Sequence, residues 1–167
     1  MRNEEEATWA NCQPDFAYVN GVRFVDLIVP GTGPAQWEAF WSALRSGPFG
    51  LRAYRDDEPI PLPETADWAF AERAVATVLV SVMAGSVTIN CHFLGDDLGL
   101  DVDRPEVDCE QAFDSVLAFM RFVAASVGLP MLAVPDGGEA EEAFLRVSPY
   151  GRAVFLPPIV RSGSGEV

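Results

Sequence analysis

Three β-prone runs in succession constrain this chain more than any other stretch. They are VATVLVSVM (Val75–Met83), SVTINCHFL (Ser86–Leu94) and DLGLDVD (Asp97–Asp103). Ala84-Gly85 and Gly95-Asp96 separate them. Glycine supplies the positive φ that two-residue hairpin loops need, so the spacing predicts an antiparallel meander. With these turns Val82 faces Val87, Val80 faces Ile89 and Val78 faces Cys91. In the next pair Phe93 faces Leu98, Cys91 faces Leu100 and Ile89 faces Val102. One face is then a continuous apolar layer. The other carries Thr77, Leu79, Ser81, Thr88, Asn90, His92, Asp101 and Asp103. A one-residue slip would mix the two faces, so the sorting itself specifies register.

The apolar layer needs a cover, and the chain supplies amphipathic helices. Trp37, Phe40, Trp41 and Leu44 recur at helical spacing within Pro34–Ser46, between a proline suited to the first turn and the stop at Gly47-Pro48. After the meander, Asp108 with Gln111 three residues on predicts a capping box. The stripe behind it is Cys109, Phe113, Val116, Leu117, Met120, Val123, Ala124 and Val127. Gly128 and Pro130 end that helix.

Elsewhere the signals are shorter. Phe16–Val19 and Val22–Val29 flank Asn20-Gly21, which predicts a hairpin. Leu51–Tyr54 predicts a short strand, Arg55–Thr65 a proline-stiffened loop, and Thr65–Arg73 one or two helical turns. Met131–Val134, Phe144–Val147 and Ala153–Leu156 predict three further strands. The expected organisation is an acidic arm over 1–14, one α+β domain over 15–158, and a flexible tail over 159–167.

Charge limits the partners. The 167 residues carry 25 acidic and 11 basic side chains, for a net charge of −14. Nucleic acid and anionic membrane surfaces need a basic field, so both are excluded as expected partners. A basic protein is favoured. Cys12, Cys91 and Cys109 form no CxxC pair, which points to a reducing, cytoplasmic setting rather than a disulfide scaffold. The start, MRNEEEATW, lacks the apolar core of a secretory signal, and the longest apolar run is too short to span a bilayer.

Catalytic and metal motifs are sparse. Cys91 and His92 are adjacent on a strand and point to opposite faces, so they do not share an ion. Asp96, Asp97, Asp101 and Asp103 lack the spacing of a calcium loop. No cofactor is expected. There is no GxSxG elbow and no lysine in the chain. His92 with Asp101 is the remaining acid–base candidate, since Asn90 faces Asp101 and His92 is its diagonal neighbour. The strongest surface signal is charge density. Asp96, Asp97, Asp101, Asp103, Glu106, Asp108, Glu110 and Asp114 crowd one stretch against Arg104 alone. The helix dipole accounts for the carboxylates at the helix start. It does not account for those on the strand, which repel one another unless a cation compensates. Together with Asn90 and His92 these residues form the candidate partner-binding surface.

Asn90-Cys91-His92-Phe93, then Leu100 to Val107, then the helix ending at Gly128, follow one another in an order that resembles small acidic immunity proteins encoded beside bacterial polymorphic toxins. With Trp37–Leu44 ahead of it, the resemblance covers about half the chain. It implies a non-enzymatic inhibitor of one cognate toxin, usually by covering the toxin's active site. A second resemblance, to small acidic chaperones of secreted effectors, implies an α+β homodimer, but the expected C-terminal helix is missing here.

Overall fold

A computed structural model describes residues 3–17, 21–93, 95 and 97–158. In chain order its elements are β1 (Glu5–Glu6), α1 (Trp9–Phe16), β2 (Phe24–Val29), α2 (Pro34–Ser46), β3 (Gly50–Arg55), β4 (Glu58–Ile60), α3 (Ala66–Glu72), β5 (Val78–Ala84), β6 (Val87–His92), β7 (Leu98–Asp103), α4 (Glu110–Val127), β8 (Met131–Pro135), β9 (Leu145–Val147) and β10 (Ala153–Phe155). The strands form one sheet in the order β1-β10-β9-β8-β2-β7-β6-β5-β3-β4, and every pairing is antiparallel. This is a single α+β domain, as the alternation of strands and amphipathic helices predicts.

The meander forms, with one change of register. The β5–β6 loop is Gly85-Ser86, because Ala84 pairs with Val87. Val82 therefore faces Ile89 and Val80 faces Cys91, two residues away from the expected pairing. A shift of two preserves the face of every side chain, so the apolar layer survives. The turn glycine explains the choice: Gly85 has φ +60°, and it fits where a side chain would not. A Cβ there would lie 2.5 Å from Ser115 Oγ on α4. The β6–β7 register is the expected one, with Ile89 opposite Val102 and Cys91 opposite Leu100.

The four α-helices among the described residues lie on the apolar face. Trp37, Phe40, Trp41 and Leu44 of α2 are buried with Phe113, Val116, Phe119, Met120 and Val123 of α4 against the strands. Phe93 leaves β6 into an aromatic cluster with Trp37, Trp41 and Phe70, at centroid distances of 5.4, 5.8 and 5.7 Å. The Trp41 indole N–H donates to Pro63 O at 3.1 Å, so the ring is buried with its polar atom satisfied. On the opposite face a smaller cluster of Val134, Ala143, Val154 and Leu156 is covered by the segment around Ala140–Glu142.

Several expectations change. The expected arm over 1–14 is not loose across its described residues 3–14: β1 pairs with β10, and α1 buries Cys12 and Phe16. Thr8 caps α1 reciprocally with Asn11. Phe16 ends this helix rather than starting a strand, while Tyr18, Val19 and Asn20 of the expected hairpin lie outside the described residues. Arg55–Thr65 is not all loop, because Asp56 and Asp57 (φ 48° and 66°) turn β3 directly into β4. The expected capping box of α4 does not form. The N-cap is Cys109, without a side-chain cap, and the helix begins one residue late. Buried Val107 anchors the preceding turn and leaves Asp108 and Cys109 exposed. The tail from residue 159 lies outside the described residues.

Candidate functional site

Alternation along the strands puts one polar row across the open face. Ser81 on β5 opposes Asn90 on β6, Asn90 opposes Asp101 on β7, and Asp101 opposes Asp26 on β2. Hydrogen bonds link most of the row. Ser81 Oγ donates to Asn90 Oδ1 at 3.2 Å, and Asn90 Nδ2 donates to Asp101 Oδ1 at 2.9 Å. His92, diagonal to Asp101, places Nε2 at 2.6 Å from Asp101 Oδ2. Asp26 Oδ2 accepts the Gly137 N–H at 2.8 Å. A concavity of about 340 Å³ opens beside the row, with Asp26, Ile28, His92, Asp97 and Asp101 around Gly99.

The electrostatics follow from this half-enclosed setting. Burial pushes the Asp26 carboxyl above its ordinary range. Asp136 and Asp101 push in the same direction, while the Gly137 N–H and His92 pull back. The hydrogen bond to Asp101 holds the His92 imidazole above its ordinary value, against the opposing effect of burial. The negative charges of Asp101 and Asp26 add to that rise. A proton carried on Nε2 donates to the Asp101 carboxylate, and the bond orients the ring. The arrangement can relay or hold a proton, and it can receive a cation.

The acidic residues expected to act as one surface divide. Asn90, His92 and Asp101 converge in the row just described. Asp103 shares the face but is joined to Arg23, with Arg23 Nε at 2.9 Å, and its Oδ1 is buried without a hydrogen-bond partner among the described residues. Asp97 accepts the Thr32 N–H at 3.0 Å and so ties the loop before α2 to the start of β7. Glu106 accepts the Thr88 N–H at 2.5 Å, a structural bond to the backbone of β6. Asp108, Glu110 and Asp114 are exposed around the start of α4, in the helical layer. The sheet separates them from Asp101. Asp96 lies outside the described residues.

Sequence reasoning overlooked Asp26, Asp136 and Gly99. A signal for Asp26 was present: it is the one charged residue in FVDLIV, between Val25 and Leu27, both buried. Cys91 is fully buried on the opposite face from His92, and burial raises its thiol, so the two form no nucleophilic pair. Cys12 is likewise buried, its thiol pushed up to about 12 chiefly by desolvation. Among the described residues no group of three or more His, Cys, Asp or Glu side chains is placed to hold a metal ion. No helix among them is long and apolar enough to cross a membrane. No protein-family model, curated protein or solved structure matches the chain.

Proposed function

We propose that this chain is a non-enzymatic protein-binding inhibitor of the immunity type, acting in the cytoplasm on a basic toxin through the open face of its sheet. One observation carries the reading. Asp26 and Asp101 are placed directly opposite each other on adjacent central strands, on the face opposite the four α-helices of the described residues. Like charges in such a cross-strand pair cost stability. A basic partner docking there offsets that cost, and the net charge of −14 speeds its approach. Co-expression with the product of a neighbouring toxin gene tests the reading. Rescue of growth and a complex that survives purification are expected; neither rescue nor complex sinks it. Asp101→Asn combined with Asp103→Asn is expected to weaken the complex and flatten its salt dependence.

A specific observation favours a second reading. The His92–Asp101 pair at 2.6 Å borders a concavity, which is the geometry of a general base with its orienting carboxylate. His92→Ala separates the two. A binding face keeps its toxin complex with a fraction of the affinity lost, whereas an enzyme built on this pair forms no stoichiometric toxin complex even as wild type. The homodimeric-chaperone alternative predicts a dimer in light scattering.

A further inference from the structure

Gly99 is the second residue of β7, opposite Ile28, where a strand ordinarily carries a side chain. Glycine weakens a strand interior, so its presence calls for a reason. Conformation does not supply one, since Gly99 is not among the positive-φ glycines. Crowding does not supply one either: a Cβ built there meets nothing closer than Asp97 O at 4.0 Å. The vacated space is the floor of the concavity of about 340 Å³, roomy enough for one long side chain. The space stands open to a group from outside the chain.

The walls select what enters. Ile28 gives an apolar side, while Asp26, Asp97 and Asp101 line the same space with His92, whose imidazole is held on Asp101 and leaves the carboxylates in excess. Carboxylates exclude an anion. The groups do not converge as a metal-ligating set. A long apolar stem ending in a planar, weakly hydrated cation matches both the wall and the carboxylates. Guanidinium has that form, and its forked donors pair with carboxylate oxygens two at a time. It would also offset the desolvation that raises the Asp26 carboxyl.

We infer that the concavity over Gly99 receives an arginine side chain of the protein that docks on the open face. The inference rests on the proposed binding function and names the group that anchors it. It is tested by NMR titration of the purified chain with the peptide acetyl-Gly-Arg-Gly-amide, and with the same peptide carrying citrulline, the uncharged isostere. Saturable shifts of the Gly99 and Asp26 amides are expected with arginine, and at least ten-fold weaker binding with citrulline. Gly99→Val fills the space with a strand-favouring residue and is expected to abolish the arginine response. Asp26→Asn, which keeps an acceptor for Gly137, is expected to weaken it several-fold and serves if the valine variant does not fold. An absent or non-saturating response, an equal response to citrulline, or unchanged binding by either folded variant overturns the inference. The co-expression assay keeps the two ideas apart. Arginine binding without protection by wild type sinks the inhibitor reading alone. Full protection by a folded Gly99→Val chain sinks the arginine site alone.

Discussion

The two faces of the sheet are built from alternate residues of the same strands, yet they obey opposite rules. On the helix side, Val80, Val82, Ile89, Cys91, Leu100 and Val102 are buried in one layer under α2 and α4. These side chains are apolar, and removal from water drives their packing. On the open side, Ser81, Asn90, Asp101 and Asp26 are half-buried polar groups, with two carboxylates opposed. The first face accounts for the fold. The second works against it locally, and such local conflict marks the place where function is sought.

The contrast can be broken by measurement, and the largest effect belongs to the covered face. Phe93→Ala removes a ring that is 1% exposed and touches three other aromatic rings, so chemical denaturation should show a loss of about 3–5 kcal/mol. A loss below about 1 kcal/mol would mean the aromatic cluster is not a packed core. Next comes the hairpin where α4 presses on the sheet. Gly85→Ala should cost about 1–2 kcal/mol from its left-handed backbone alone. Contact with Ser115 Oγ adds to this, and Ser115→Ala should restore part of the loss.

On the open face the sign should reverse. Asp26 has its carboxyl raised in the folded state, chiefly by burial. Its ionised form is therefore disfavoured by folding, and stability falls as pH rises from the ordinary carboxylate value through the folded one. Asp26→Asn should raise stability at pH 7 by less than about 1 kcal/mol, with no gain at pH 3. A loss at pH 7 would show that the carboxylate stabilises the fold.

His92 should give the smallest effect. Its folded value is raised, first by the hydrogen bond to Asp101. The stabilisation is fully present below the ordinary imidazole range and disappears as pH rises through the folded value. His92→Gln should therefore cost more at pH 5.5 than at pH 8.5. Equal losses would mean that the pair contributes packing and no charge.

How much was legible in the sequence follows the same division. The covered face was readable because hydrophobic period carries it: α2 spans Pro34–Ser46 as expected, and Gly128 ends α4 in the left-handed conformation. The β5–β6 register was displaced by two because both candidate loops use Gly85, and the local sequence does not say whether it takes the first or the second loop position. The N-terminal helix was hidden by its acidic neighbours, although Trp9, Cys12 and Phe16 keep a helical spacing and Thr8-x-x-Asn11 caps it. At the site, the link from His92 and Asn90 to Asp101 was readable from local register. Asp26 was not, because β2 reaches β7 only through long-range pairing. Linear density also made Asp108, Glu110 and Asp114 look continuous with Asp101, while the fold puts the sheet between them.

The sheet ends in very short strands, two residues of glutamate in β1 and three residues around Pro59 in β4. Proline cannot donate to an incoming strand, and paired glutamates repel another acidic edge. Neither end offers a template for adding further strands. Both ends of the sheet therefore disfavour its growth into fibrils.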